Sequence, residues 1–192
     1  PNVKEREYLT EDEIKTIMKH EFESPTLTLV RDLFIFACFT ALSFVDMKEL
    51  TTDNIVEING EKWIIGKRHK TDVPFQVKLL DIPMQIIKRY KNRSEDKSVF
   101  GKINYWTMCK QLKKVIQECG IEKQISYHCG RHTFGTLALT KGMPIESVSR
   151  VLGHTNIVTT QIYAKITTQK LDNDLTMFGD KLSKTFNGIT MS

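Results

Sequence analysis

Four side chains in the C-terminal part of the sequence have the types that phosphate chemistry requires: His128, Arg131, His154 and Tyr163. Transesterification of a phosphodiester needs a nucleophile, a base, cationic donors for the non-bridging oxygens and an acid for the leaving hydroxyl. A tyrosine hydroxyl has an unperturbed pKa of about 10, so Tyr163 needs a neighbouring base or cations to become a competent nucleophile. The arginine and the two histidines could supply them.

Arg131 is expected to contribute most of the electrostatic stabilisation. A guanidinium presents a planar fork that can hold two phosphate oxygens together, whereas a lysine acts more as a point charge. By analogy with removing an oxyanion-hole donor, losing this group would raise the barrier by about 3 to 4 kcal/mol. Each residue alone also has a structural interpretation, with Tyr163 as a half-buried aromatic and His154 as a helix cap. Their joint order favours chemistry.

These residues lie in three short motifs, His128 to His132, Leu152 to His154 and Thr160 to Ala164. The order HxxRH, then LGH, then a tyrosine nine residues after that histidine resembles the tyrosine recombinase or phage-integrase family. The similarity extends from about Leu9 to Phe178. It implies a site-specific DNA recombinase that serves the integration or excision of a mobile element.

The resemblance also implies roles and partners. Tyr163 would attack double-stranded DNA and form a 3′-phosphotyrosyl intermediate, with Arg131, His128 and His154 as the other catalytic residues and His132 as a structural one. The tyrosyl ester conserves the energy of the phosphodiester, so neither ATP nor a metal or other cofactor is expected. The sequence carries no Walker motif and no carboxylate cluster of the two-metal type.

A basic segment between the second and third predicted strands contains Lys67, Arg68 and Lys70. The family places a lysine on this hairpin, which implies that Lys70 is the general acid that protonates the leaving 5′-oxygen. The alternative is a solvated basic turn that touches phosphate without chemistry. Lys67 and Arg68 are expected to contact DNA.

One motif departs from the family. Most members have Thr-Gly-Leu-Arg at a helix end and an acidic residue three positions on, whereas this chain has Ser43 in the arginine position and Asp46 in the acidic one. A serine can donate one hydrogen bond to a phosphate oxygen but carries no charge. The chain could be an inactive relative that still binds DNA, a deliberately mutated protein, or a member of a branch in which the charge comes from elsewhere.

The third explanation is preferred, because the other active-site residues are all present. Some integrases of conjugative and mobilisable elements resemble this chain in lacking that arginine. Arg68 is the candidate substitute, and its alternative role is DNA contact only. Asp46 is expected to orient Arg131 or to cap a short helix.

Local patterns predict the elements that must position these residues. A capping box predicts a helix from Thr10 to about His20, and Pro25 opens a second, mostly apolar helix that should lie at the core. Later helices are separated by breaks. The predicted breaks are at Gly130, at Gly142-Met143-Pro144 and at Gly153, and helical character ends near Phe178.

Between these helices the pattern becomes that of strands. Asn59-Gly60 is a type I′ turn signal between two apolar runs, and a third strand from Val73 to Leu79 follows a loop from Gly66 to Asp72. The fold class is therefore α+β, mainly α, with a small three-stranded antiparallel sheet. Residues 1–192 are expected to form a single catalytic domain, with a core over 9–178, a tail over 179–192 and the N-terminal DNA-binding domains of the parent absent.

Composition agrees with this interpretation. The chain has 192 residues, 40% of them hydrophobic, which suffices for one domain, and its net charge of +5 suits a polyanionic partner. The four cysteines form no CxxC pair, and the most apolar stretch, Leu33 to Val45, is too short to cross a bilayer. A reduced protein of the bacterial cytoplasm, associated with the nucleoid and with no membrane contact, is expected.

The tail beyond Tyr163 carries apolar residues near helical spacing. In the family such a segment docks on a neighbouring protomer, which implies a tetramer on DNA; the alternative is packing on its own domain. Two further functions remain open: a type IB topoisomerase-like nicking activity, and an accessory protein that binds DNA without cleaving it. An ordinary helical protein with chance motifs is the remaining alternative.

Overall fold

The structure is a computed structural model that describes residues 7–90, 96–154, 156–161 and 167–188. The helices are α1 (Glu11–Lys19), α2 (Pro25–Thr40), α3 (Phe44–Lys48), α4 (Asp81–Tyr90), α5 (Tyr105–Glu118), α6 (Cys129–Thr140), α7 (Ile145–Leu152) and α8 (Thr167–Thr185), and the strands are β1 (Ile55–Ile58), β2 (Glu61–Lys67) and β3 (Pro74–Lys78). The strands form one antiparallel sheet in the order β1-β2-β3. The predicted fold class is confirmed.

Helix α2 forms the centre of the core. Ser24 caps it by accepting a hydrogen bond from the Leu27 amide, and Pro25 occupies the first turn, where its missing N–H costs nothing. Most of its side chains are buried, and α1, α4, α5 and α6 all pack against it. An apolar helix surrounded in this way organises the remaining elements.

Gly130 lies inside α6 and not at a break between helices, so the break predicted there is wrong. A methyl group on Gly130 would come within 2.9 Å of the Cβ of Ala37 on α2. The glycine is therefore needed because α6 and α2 pack closely, and this tertiary contact overrides the weak helix-breaking preference of glycine.

The hairpin forms as predicted, but its second strand is longer. Asn59 and Gly60 have φ angles of 51° and 77°, which suit a type I′ turn. Strand β2 runs to Lys67, which pairs with Pro74, so the loop between β2 and β3 begins at Arg68 and not at Gly66. This loop is short, and its first residue lies next to the sheet.

Helix α8 extends beyond the predicted end at Phe178 to Thr185. It contacts α6, where Asn173 donates a hydrogen bond to the Thr140 carbonyl at 2.9 Å. The described side chains from 171 to 188 are otherwise exposed, apart from Gly179. None of the helices described has the length and apolar character that a membrane span requires.

Candidate active site

The site is built on the C-terminal end of α7, where the Leu-Gly-His motif lies. Leu152 is buried, and Gly153 adopts a left-handed φ of 70°, which glycine accepts without strain. The reversal lets the His154 amide donate a hydrogen bond to the Ser149 carbonyl at 3.0 Å. It thus ends the helix and brings the His154 side chain to this end of α7.

Two arginines from distant parts of the chain bind the last carbonyls of α7. Arg131 donates from Nη2 to the Leu152 carbonyl at 2.6 Å and from Nη1 to the Ala41 carbonyl. Arg68 donates from Nη2 to the Val151 carbonyl at 2.6 Å. Carbonyls at a helix C-terminus lack partners within the helix and carry partial negative charge, so they attract guanidinium groups. The end of α7 therefore joins α6, the β2–β3 loop and the end of α2.

The Arg68 side chain is held inside the protein. The residue is only 6% exposed, its Nη1 donates to Asp46 Oδ2 at 2.9 Å, and its guanidinium carbon lies 4.4 Å from the centre of the Phe75 ring. Its Nε is buried without a hydrogen-bond partner among the described residues. A methyl group at Gly153 would lie 3.1 Å from this nitrogen, so a larger residue there would press on Arg68.

Asp46 holds both Arg68 and the loop that carries it. Its carboxylate accepts hydrogen bonds from Arg68, from the His69 amide at 3.0 Å and from the Ser43 hydroxyl at 2.8 Å. Burial opposes ionisation of this carboxyl, but the three donors outweigh burial and lower its pKa. Asp46 is thus a buried anion that fixes Arg68, a partner that the sequence did not suggest.

Ser43 does not offer its proton to a ligand in this arrangement. Its side-chain oxygen caps α3 by accepting from the Asp46 amide at 3.2 Å, and its hydroxyl donates to the Asp46 carboxylate. A hydroxyl has one proton. The hydrogen bond to phosphate considered for Ser43 would therefore require the loss of its bond to Asp46.

His154 is half-buried and bound to Thr160, with 2.8 Å between Nδ1 and the threonine Oγ1. Burial, followed by the positive charges of Arg131 and Arg68, lowers the pKa of His154 below its usual value. Both arginine side chains therefore lie close enough to the imidazole ring of His154 to act on it electrostatically. A lowered pKa favours the uncharged imidazole at neutral pH, which is the form that can accept a proton.

The start of α6 places two histidines side by side. His128 is exposed immediately before the helix, while His132 is 4% exposed, and their rings meet edge to face with centroids 4.6 Å apart. Tyr127 precedes them and is fully buried, and burial raises its pKa well above the usual value, so it is no rival nucleophile. The geometry suits a structural His132 that supports an accessible His128.

The other predicted residues are placed as follows. Lys67 and Lys70 are exposed near the β2–β3 loop, and Lys67 lies 3.7 Å from Asp72. Tyr163 lies outside the described residues. Among the residues described, no group of three or more His, Cys, Asp or Glu could hold a metal ion.

Two side chains of the site were not assigned from the sequence. Phe75 lies against the Arg68 guanidinium, and Thr160 binds His154. Phe75 has the alternating pattern of a buried strand residue, so no signal separates it from ordinary core. Thr160 is completely buried, and its position six residues after a candidate histidine was the only available signal.

The fold is mainly helical, and the guanidinium groups of Arg68 and Arg131 meet at the end of α7 beside His154. Residues 7–170 match the sequence profile of the phage integrase family, and the chain belongs to this family. The prediction of the family is confirmed.

Curated relatives are similar over most of this chain. Tyrosine recombinase XerC of Lactobacillus leichmannii is 29% identical over 179 residues, which cover 86% of this chain and 60% of the relative. A tyrosine recombinase of Thermosipho africanus is 30% identical over 173 residues, covering 85% of this chain and 59% of the relative. The chain therefore spans about 60% of the length of these relatives.

Solved structures show the same fold. The crystal structure of XerA recombinase matches with a TM-score of 0.71 and 22% identity, over 90% of this chain and 65% of that one. The catalytic domain of bacteriophage HP1 integrase matches with a TM-score of 0.63 and 18% identity, over 88% of this chain and 93% of that one. The Tn1549 transposon integrase, solved with circular intermediate DNA, matches with a TM-score of 0.70 and 15% identity, over 90% and 67%.

Proposed function

We propose that this chain is the catalytic part of a site-specific DNA recombinase that integrates or excises a mobile element. The observation that carries the proposal is the meeting of Arg68, Arg131 and His154 at the end of α7. Two guanidinium groups beside an uncharged imidazole suit a phosphodiester in double-stranded DNA. The reaction would take place in the bacterial cytoplasm.

In the proposed reaction the Tyr163 oxygen attacks the phosphorus and the bond to the 5′-oxygen breaks. His128 and His154 accept the tyrosine proton or bind the phosphate, Arg131 binds non-bridging oxygens, and Lys70 protonates the leaving 5′-oxygen. The 3′-phosphotyrosyl ester is then attacked by the 5′-hydroxyl of another strand, which restores the tyrosine. The net change in phosphodiester bonds is zero, so the reaction requires no ATP, and in this proposal the charges of Arg68, Arg131 and Lys70 take the place of a metal ion.

Arg68 takes the place of the missing first arginine in this proposal. It is bound to Asp46, the residue in the acidic position of the Ser43 motif, and its charge affects His154. Two of its five N–H donors are used in the observed bonds. This arrangement favours membership of the branch that lacks the first arginine.

Assembly of several copies on DNA, as a tetramer, is also part of the proposal. An apolar stripe on α8 is exposed and contains Leu171, Leu175, Phe178 and Leu182. Because exposed apolar stripes of this kind mark interaction sites, a neighbouring protomer is the proposed partner.

The alternative function is DNA binding with weak or absent cleavage. It is favoured by the Ser43 hydroxyl, whose proton is committed to Asp46, and by the 6% exposure of Arg68. In that case the buried ion pair between Arg68 and Asp46 would only support the fold.

The test is covalent capture. The chain is incubated with nicked duplexes of random sequence, the mixture is denatured, and protein–DNA adducts are separated by mass and sequenced. We expect an adduct whose formation is lost in Tyr163→Phe and kept in Tyr8→Phe, a matched control distant in sequence. DNA binding without any adduct would support the alternative function, and an adduct that survives Tyr163→Phe would contradict the assigned nucleophile.

A further inference from the structure

The segment that precedes α1 is bound to α6 inside the protein. This pre-α1 segment, defined as Tyr8 to Thr10, places Leu9 in the core, where the residue is only 2% exposed. The Leu9 amide donates a hydrogen bond to Thr133 Oγ1 at 3.0 Å, although the two residues lie 124 positions apart. A buried backbone N–H needs a partner, and here a side chain of α6 supplies it in place of a helix or strand.

Thr133 is completely buried and joins three parts of the fold. Its oxygen accepts from the Leu9 amide, and its hydroxyl is hydrogen-bonded to the Cys38 thiol on α2. Gly130 lies three residues earlier, hence on the same face of α6, and it packs closely on α2. The helix is therefore fixed to its surroundings on both sides of Arg131 in the sequence.

A second set of contacts holds the same segment to the loop before α6. Lys123 donates from Nζ to the Tyr8 carbonyl at 3.0 Å and to the Glu13 carboxylate at 2.8 Å. Glu13 in turn accepts from the Thr10 amide, which completes the capping box of α1. Both ends of the pre-α1 segment are thus bound, and the Leu9 amide between them is held against α6.

We propose that Thr133 is a positioning residue for Arg131, because it ties α6 to the pre-α1 segment through the Leu9 amide. The proposal rests on the proposed function, in which Arg131 binds the phosphate. The Arg131 guanidinium binds the Leu152 and Ala41 carbonyls, so its position depends on how α6 lies relative to α7 and α2. A misplacement of about 1 Å can slow a reaction by about 10²-fold, even when its cause is far from the reacting atoms. The pre-α1 segment therefore contributes to catalysis without touching the substrate.

The test compares two buried threonines of α6. Thr133→Val removes the hydroxyl that binds the Leu9 amide, and Thr133→Ser keeps a hydroxyl there. Thr136→Val is the matched control, because Thr136 is also buried on α6 but its hydroxyl has no hydrogen-bond partner among the described residues.

Single-turnover adduct formation is measured for each variant over a range of concentrations of a nicked duplex recovered by covalent capture. We expect Thr133→Val to lower the maximal rate by about 10²-fold. The half-saturating DNA concentration should stay unchanged, because the substitution lies in the core and alters no surface that DNA could contact. Thr133→Ser and Thr136→Val should keep a maximal rate close to that of the unmodified chain.

The pKa of His154 reports the position of Arg131 without any DNA. Burial, followed by the charge of Arg131, lowers this pKa, so displacement of the guanidinium should raise it. We expect an NMR titration to give a higher His154 pKa in Thr133→Val than in the unmodified chain, and the original pKa in Thr133→Ser and Thr136→Val. A loss of stability alone would not move this pKa, so the titration separates positioning from a purely structural role.

Failure of the inference and failure of the proposed function give different results. An unchanged maximal rate or an unchanged His154 pKa in folded Thr133→Val would overturn the role of Thr133 and leave the proposed function standing. Absence of an adduct with the unmodified chain would overturn both.

A second variant covers the case in which Thr133→Val does not fold. Lys123→Met loosens the pre-α1 segment from a partly exposed position. It should lower the maximal rate and raise the His154 pKa, each by less than Thr133→Val would. If neither quantity changed in Lys123→Met, the proposal would be wrong.

Discussion

The Arg68 side chain is held at the end of α7 by residues that lie far from it in the sequence. It lies at the start of a surface loop, yet its guanidinium is bound to Asp46 and to the Val151 carbonyl and lies over Phe75. Burying an ion pair costs desolvation energy that the pair only partly recovers. Under the proposed function the Arg68 charge acts at the end of α7, whereas under the alternative function the ion pair only supports the fold, and the effect of removing Arg68 separates the two.

We expect Arg68→Ala to slow single-turnover formation of the covalent adduct by about 10²- to 10³-fold, the usual effect of losing one donor to a developing charge. The substitution also leaves the Asp46 carboxylate buried without its cation, so it should lower stability by about 3 to 5 kcal/mol. Rates are therefore compared at a temperature where each variant remains folded by circular dichroism.

Adding Ser43→Arg to the Arg68→Ala variant should restore part of the rate, because it places a guanidinium beside Asp46. The matched control is Lys67→Ala, an exposed neighbour of Arg68, which should change salt-dependent binding and leave the rate of adduct formation intact. A wild-type rate in Arg68→Ala would show that the ion pair is structural.

His154 should show the influence of Arg68 in its titration. Burial and then the two arginines lower its pKa in the folded protein, whereas in the unfolded chain it is about 6.5. The stability that this group contributes is therefore present above about pH 6.5 and is lost as the pH falls through the folded pKa. We expect an NMR titration of Arg68→Gln to give a higher pKa for His154 than the unmodified protein, because one positive charge is gone. An equal or lower pKa would contradict the placement of Arg68 near this ring.

At the scale of elements, the ends and crossings of helices carry the site. The end of α7 supplies carbonyls for two arginines, and Ala41, at the end of α2, supplies a third carbonyl from a left-handed conformation with φ of 58°. The close crossing of α6 on α2 fixes the helix that carries Arg131. Small changes in this crossing should therefore affect both stability and the site.

Gly130→Ala should destabilise the protein by about 1 to 3 kcal/mol, the usual cost of overpacking a core. Its added methyl would lie 2.9 Å from the Cβ of Ala37. Ala37→Gly removes the opposing methyl, so the double variant should be more stable than the sum of the two single effects predicts. Urea unfolding of the four proteins measures this coupling, and strict additivity would show that the two helices do not meet at this point.

The whole molecule presents one long helix that its own core does not cover. The apolar stripe on α8 is exposed from Leu171 to Leu182, so these side chains do not pack on their own domain, which was the alternative. Its contact with α6 is made through a polar residue, Asn173. Burying these apolar side chains in an interface between two copies of the chain would therefore stabilise that interface.

Leu175→Asp together with Phe178→Asp should abolish self-association and leave the free energy of unfolding within about 0.5 kcal/mol of the original, since both side chains are exposed. The matched control is Lys184→Asp, which introduces the same residue on the opposite side of α8. Sedimentation velocity with and without duplex DNA measures the assembly. Equal assembly of all three proteins would rule out the α8 stripe as the interface.

The sequence alone determined the local features and the candidate residues. The capping box at Thr10, the Asn59-Gly60 turn and the helix break at Gly153 all form as predicted, because each depends on residues that are neighbours in the chain. The family motifs could be identified because fixed spacings within one segment preserve the order of the chemical groups. The family and the fold class were predicted for the same reason.

Tertiary structure decided which of these residues meet. The bond from Arg68 to Val151 spans 83 residues and that from Arg131 to Ala41 spans 90, and local spacing contains no information about either. The helical Gly130 also depends on a contact with a distant helix. Packing between elements far apart in the chain sets these positions, so only the folded structure shows that Arg68 binds Asp46, in the same short motif as Ser43, and lies at the end of α7.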